Sequence, residues 1–304
     1  MKINILFYIS LGIFLVSIVI IVILNNKNFE KSKQDDFRRT LEDMKQILDT
    51  NKILEEKFLE PKLTIGIKTF CRPKSLNESL NSIVKYNKYK FKIIIADDSN
   101  DEYKLKNKEI IKKYEKDKEI ELLDLKFDSG LSKGRNEIVK NCNTKYLMIL
   151  DDSRYFDNNL KIKEIINFLE ENEYDLFFGG IKNRISDGTE DYTCLFVKFN
   201  ENEIKCKSKK KINNKIFSNL YETNLGLNVF IAETNSLKKT LWRDELKLGE
   251  HEIFFQDYYK KGFKCVYSPD VQFIQVSAEN KKYDKEFIKY RNRFTTKDMI
   301  KINF

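Results

Sequence analysis

Two adjacent carboxylates, Asp151 and Asp152, close an apolar run from Tyr146 to Leu150 within the stretch KYLMILDDSRY. A continuous apolar run bounded by polar residues suits a strand buried on both faces of a parallel sheet. In open α/β sheets ligands bind beyond the carboxyl ends of the strands. Two carboxylates there could hold a divalent cation or the ribose of a nucleotide. Asp and Ser also make ordinary helix caps and turns, so the pair alone leaves both readings open.

Three further groups fall at the ends of apolar runs. Thr69, Arg72 and Pro73 follow Leu63 to Phe70, and Asp97 to Ser99 follow Phe91 to Ala96. The loop FDSGLSKGRNE follows Ile120 to Phe127. On a parallel sheet these ends share one edge, so the groups converge. A nucleotide diphosphate needs such parts: carboxylate and backbone for base and ribose, glycines that admit the chain close to phosphate, and a cation or basic group. The chain contains neither GxxxxGK[ST] nor GxGxxG, which removes the two commonest nucleotide-binding loops.

The elements that must carry these residues alternate. Between the runs lie helical periods at Ser75–Tyr86 (with Ser75 as cap), Tyr103–Tyr114 and Gly130–Asn141. This predicts an α/β fold with a mainly parallel sheet covered by helices. Further on, the pattern predicts a helix over Leu160–Leu169 and a strand over Asp175–Gly180. A hairpin is expected over Thr193–Phe199 and Glu203–Lys207, with Lys207–Lys211 as a solvated loop. A strand is expected over Leu227–Ala232, a helix over Ile253–Lys260, and late strands over Cys265–Tyr267 and Val271–Val276. Net charge is +9, but lysine is spread throughout without clustered aromatic platforms, which argues against nucleic acid. Five cysteines show no metal-ligand spacing; Cys194 and Cys206 could pair across the hairpin, and the others read as buried thiols. A sequon, Asn77-Glu78-Ser79, falls on an expected helix.

The ordered segments TIGIKTFCRP, IIIADDS, GLSKGRN and KYLMILDDS resemble the nucleotide-binding half of GT-A-type glycosyltransferases of the family 2 kind. NVFIAET, the segment around Trp242, and GEHEIFF are similar to β-1,4-N-acetylgalactosaminyltransferases of the ganglioside type. The resemblance runs from about Lys62 to Ser277. It implies a GT-A (Rossmann-like) domain over 61–278 and inverting transfer of a hexose or N-acetylhexosamine from a UDP-sugar to a glycan, glycolipid or glycoprotein. It places Thr69, Arg72 and Asp98 around uracil and ribose, with Lys133, Arg135 and Asn136 near the nucleotide. Asp151 and Asp152 fall on the DXD motif, with Asp152 toward Mn²⁺ or Mg²⁺. Glu250 takes the place of the base and Glu252 that of an acceptor contact, while Trp242 and His251 lie toward sugar or acceptor. The chain departs from the pattern twice. Ser153 stands where a third Asp is usual, and Gln272 and Gln275 occupy the region of a late His; the only histidine is His251. A degenerate module that binds nucleotide or glycan without turnover is the alternative. A nucleotidyltransferase lacks its triphosphate loop.

Ile5 to Leu24 carries no charge and is apolar on every face, long enough to span a bilayer. Residues 1–26 are therefore expected to be a membrane anchor and 27–60 a helical stem, with a stripe at Phe37, Leu41, Met44 and Leu48 suited to weak homodimerisation. Residues 279–304 are expected to be a charged tail with a helix around Tyr290, Arg291 and Arg293. Lysines and arginines after the span favour a cytosolic C-terminal part, whereas the resemblance implies a type II Golgi protein with a luminal domain.

Overall fold

The structure is a computed structural model that describes residues 31–59, 62–86, 89, 91–157, 160–183, 189–190, 196–200, 203–207, 210–246 and 250–275. The expected anchor at 5–24, the tail helix and the Cys194–Cys206 pairing lie outside the described residues or side chains. Among the described residues no helix is long and apolar enough to cross a membrane. The chain divides into two compact units, 1–57 and 58–304. The first contributes most of α1 (Lys31–Leu59), a polar helix whose Phe37, Leu41 and Met44 are half-buried while Ile47 and Leu48 are exposed.

The second unit alternates as its apolar runs dictate. β1 (Leu63–Thr69), α2 (Pro73–Tyr86), β2 (Lys92–Asp97), α3 (Asp101–Tyr114), β3 (Ile120–Asp124), α4 (Leu131–Asn141) and β4 (Tyr146–Asp151) come first. They are followed by β5 (Arg154–Tyr155), α5 (Ile162–Glu171), β6 (Leu176–Asn183), β7 (Thr189–Glu190), β8 (Phe196–Asn200), β9 (Glu203–Lys207) and β10 (Lys210–Ile212). β11 (Leu220–Thr223), β12 (Phe230–Glu233), α6 (Thr234–Lys239), α7 (Glu250–Lys260) and β13 (Cys265–Gln275) complete it. α2 begins at Pro73, since proline is pre-organised for a first helical position, so Ser75 lies inside the helix rather than capping it. Asn77, the sequon residue, lies on α2 and accepts from Tyr114. Lys210–Ile212 is an edge strand paired antiparallel with β11, not a loop.

The main sheet runs β10-β11-β13-β6-β12-β4-β1-β2-β3, while β8 and β9 form a separate hairpin. β1, β2, β3 and β4 are mutually parallel; β12 is antiparallel to both β4 and β6, and β13 is parallel to β6. Six strands (β1 to β4, β6 and β13) therefore end at one edge. The two late strands expected from sequence are one, bent by a register shift between Ser268 and Gln272.

Each face has its own core. One packs Leu76, Leu80 and Ile83 of α2 and Ile165 and Ile166 of α5 against Ile65, Ile67 and Met148. The other packs Ile138 and Val139 of α4 and Phe254, Phe255 and Tyr258 of α7 against Ile94, Leu147, Ile149 and Phe230. At about 1.5–3 kcal/mol for each fully buried large apolar side chain, these contacts fix helix positions firmly. They also set α4 and α7 on the same face, their first turns toward the shared strand ends.

Candidate active site

Lys68 ends the apolar run of β1 and is 3% exposed. Its ammonium pairs with Asp98, just past β2, and donates to the Thr69 carbonyl at 2.7 Å. The stem crosses α4 at Gly134, where a Cβ would lie 2.1 Å from Lys68 Cδ. Asp98 also accepts from the Gly130 amide at 2.7 Å, and its carbonyl accepts from the Asp128 amide at 3.0 Å. Gly130 (φ 96°) and Asp128 (φ 54°) are left-handed, the turn needed to swing the chain from β3 into α4. On the other side Ser99 Oγ accepts from the amide of Cys71, which is also left-handed (φ 52°). Asp98 thus uses both carboxylate oxygens to hold the neighbouring loops at the strand ends. Lys68 escaped sequence reading; a lone lysine in an apolar strand was the available signal.

From the first turn of α4, Arg135 runs into the core with 1% exposure. Its Nη2 donates to Asp151 Oδ1 at 2.9 Å and its Nη1 to Glu250 Oε1 at 3.0 Å. One guanidinium therefore joins the end of β4 to the first turn of α7. Its Cζ lies 5.8 Å from the Trp242 ring centroid. Next to it, Asn136 donates to the Trp242 carbonyl and to Asp244 Oδ1, both at 2.7 Å, and accepts from the Trp242 amide at 2.9 Å. Both Asn136 amide donors are thus committed to the segment around Trp242. Trp242, 2% exposed and stacked on Phe254 at 4.0 Å, is a core tryptophan and presents no face to a sugar. Lys133 is partly exposed and pairs with Glu137 at 3.1 Å and Asp244 at 3.4 Å on the far side of α4's first turn.

Asp151 and Asp152 have opposite environments. Burial works against the charge of Asp151, but Arg135, Arg154 and Arg72 outweigh it and hold its pKa below the ordinary carboxylate range. For Asp152 burial wins over Arg72 and Thr69, and the pKa is raised. Asp152 accepts from Thr69 Oγ1 at 2.8 Å through Oδ2 and from Arg72 Nη1 at 2.9 Å through Oδ1. Thr69 and Arg72 therefore reach Asp152 rather than standing apart from it.

The third site element is the start of α7. Glu250 is 5% exposed and held by Arg135. His251 Nε2 lies 3.0 Å from Glu252 Oε1. Burial disfavours the imidazolium, yet the Glu252 hydrogen bond and the charges of Glu252 and Glu250 leave the pKa of His251 raised. Burial likewise disfavours ionised Glu252, and its bond with His251 lowers its pKa nonetheless. Residues two apart on a helix do not share a face, so Glu250 and Glu252 address different surroundings.

A hard dication such as Mn²⁺ or Mg²⁺ takes carboxylate and other oxygens in a near-regular shell. Among the described residues no three acidic, histidine or cysteine side chains are grouped to hold one. Both oxygens of Asp152 and one of Asp151 are taken, Ser153 replaces a third carboxylate, and His251 is paired on α7. The residues present do not fit the expected cation.

The family model for glycosyl transferase family 2 matches residues 64–234, from β1 through β12 into α6. The chain belongs to glycosyl transferase family 2. Mouse beta-1,4 N-acetylgalactosaminyltransferase 2 is 27% identical over 201 residues, 64% of this chain and 36% of that protein. Rat beta-1,4 N-acetylgalactosaminyltransferase 1 is 25% identical over 199 residues, again 64% of this chain and 35% of the relative. The chain thus spans about a third of the length of these curated relatives. S. aureus TarS 1–349 in complex with UDP-GlcNAc superposes with a TM-score of 0.55 at 19% identity, covering 72% of this chain and 59% of that one. GalNAc-T7 with UDP, GalNAc and Mn²⁺ gives 0.56 at 15% identity, covering 72% and 44%. These likenesses establish the fold of this family 2 chain: GT-A-like, with a mostly parallel central sheet flanked by helices.

Proposed function

We propose that this family 2 chain is an inverting glycosyltransferase that moves a hexose or N-acetylhexosamine from a UDP-sugar to a hydroxyl of a glycan, glycolipid or glycoprotein. The observation that carries the reading is the Arg135 bridge. One buried fork binds both the carboxylate closing β4, where a donor would lie, and a carboxylate opening α7. The nucleotide-sugar ligands and N-acetylgalactosaminyl activity in the names of its relatives and structural neighbours support a UDP-N-acetylhexosamine donor.

Glu250 is the base in this reading. The acceptor oxygen bonds to the anomeric carbon as the bond from that carbon to the diphosphate oxygen breaks. UDP leaves on the opposite face, and the acceptor proton passes to Glu250. A carboxylate suffices, since the hydroxyl becomes acidic only as the new bond forms. Arg135 fixes one Glu250 oxygen and leaves the other for the acceptor; Asp151, held the same way, keeps one oxygen for ribose. Glu252 and His251 stand toward the acceptor on α7, and Lys133 stands at the rim. Thr69, Arg72 and Asp152 form the floor on the donor side. Residues 5–24 anchor the protein in a membrane as a single-pass type II protein of Golgi type, with 27–60 as its stem and a site of self-association.

The experiment is transfer by the detergent-solubilised full chain with candidate UDP-sugars, following UDP release. Glu250→Gln should lower kcat by about 10²–10⁴-fold while UDP still binds. Unchanged turnover in that variant sinks the assignment of the base. UDP binding without turnover by the wild-type chain favours the alternative of a silent binding module, for which Ser153 and the lack of a late His are the motive.

A further inference from the structure

We infer that the donor diphosphate is received by the guanidinium groups of Arg72 and Arg154 and that no divalent cation is required; this rests on the UDP-sugar reading above. The inference starts from charge. Around the strand ends, Arg72, Arg135 and Arg154 stand against Asp151, Asp152 and Glu250. Asp152 already faces Arg72, and Asp151 and Glu250 already face Arg135, so a dication would have to compete with a resident guanidinium at each carboxylate. A metal entering there would have to displace the Arg72 bond to Asp152, a carboxylate only 3% exposed, or the Arg135 bond to Asp151. Charge-assisted bonds in buried surroundings are costly to break.

Geometry around Ser153 points the same way. β5 pairs antiparallel with the end of β13, setting Arg154 opposite Gln275 and Tyr155 opposite Ile274. The bend in β13 between Ser268 and Gln272 brings this end of the strand beside the aspartate turn. Arg154 Nη1 donates to Ser153 Oγ at 3.3 Å, and its charge acts on Asp151. Where a metal-dependent arrangement would bring a third carboxylate and a further ligand, this chain has a hydroxyl, a neutral amide and a guanidinium. Arg135 is enclosed between its two carboxylates, whereas Arg72 is 13% exposed and Arg154 half-buried at the edge of the sheet. Planar guanidinium forks match phosphate oxygens two at a time and remain charged at every working pH. Arg72 and Arg154 could thus stabilise the diphosphate as the anomeric bond breaks, without an ion.

The test is calorimetric titration of UDP into the full chain stripped with EDTA, then repeated with Mn²⁺ or Mg²⁺ added, beside the transfer assay under both conditions. The expected result is a Kd and a kcat that the metal changes by less than about threefold, well under 1 kcal/mol. Arg154→Gln should weaken UDP by about 10- to 100-fold, the worth of a hydrogen bond to a charged group, with Arg154→Lys recovering part of it. Arg72→Gln is the second variant, and circular dichroism confirms that each is folded. UDP binding that appears only with the metal, or folded Arg154→Gln and Arg72→Gln that both bind UDP as the wild type does, would overturn the inference and leave the transferase reading standing. No UDP binding under either condition removes that reading, and this inference with it.

Discussion

At the carboxyl edge of the sheet, Lys68 and Asp98 pair with side chains 1% and 2% exposed, and Arg135, itself 1% exposed, meets Glu250 at 7% and Asp151 at 28%. At the opposite edge the same residue types meet in water: Lys62 and Lys145 share Glu170 at 25%, 50% and 23% exposure, and Lys264 reaches Glu173. Lys145, Glu170, Glu173 and Lys264 line a cleft of about 370 Å³ between the starts of β4, β6 and β13. Exposed pairs contribute little because water and salt screen them. Buried pairs fix geometry, since each charge left alone is expensive. Among the described residues, Lys68, Asp98, Arg135 and Glu250 are enclosed at the carboxyl edge and held in one arrangement before a ligand arrives, as a catalytic site requires. The other edge has the charges without the enclosure.

Substitutions at the two edges should separate sharply. Arg135→Leu leaves Asp151 and Glu250 facing each other without their cation, and should lower unfolding free energy by about 3–5 kcal/mol in urea titration. A loss below 1 kcal/mol would mean that solvent reaches the bridge and that the contrast is weaker than drawn. His251 is an intermediate case, since its pair with Glu252 is about one-third exposed. Its raised pKa makes the contribution to stability full below an ordinary histidine value of about 6.5 and lost as pH climbs through the folded value. The melting temperature of the wild type minus that of His251→Gln should therefore shrink from pH 5.5 to pH 8; a constant difference would argue against the pair. Glu170→Gln should change stability by only about 0–1 kcal/mol, and added salt should shrink even that.

How much of this was legible in the sequence depends on range. β1 to β4 and the helices between them follow from uninterrupted apolar runs and amphipathic spacing, both local properties. β5 and β11 are two and four residues long and pair with β13, far away in the chain, so no window around them contains the cause; β7 and β10 pair with nearby strands but are only two and three residues long, too short for a period to show. Sequence placed Asp151 and Glu250 as functional candidates but could not show that Arg135 joins them. Nor could it show that Asn136 and Asp98 are occupied by the protein itself. The resemblance sets Trp242 toward sugar or acceptor, and its stacking on Phe254 and Phe230, invisible in sequence, sets it in the core. Lys68 was overlooked because its partners lie on two other elements.

Gly134 and Lys68 form a compensated pair. The lysine stem fills the volume a β-carbon would take on α4, and its ammonium is tied to Asp98 and the Thr69 carbonyl, so it cannot swing aside. Neither position can drift alone. A larger residue at 134 would press on the tether that shapes the loop into α4, and a shorter one at 68 would open a void beneath Arg135's own helix. Where a descendant of this chain replaces one, the other is expected to have changed with it, so that a strand and a helix some sixty residues apart must evolve as one piece.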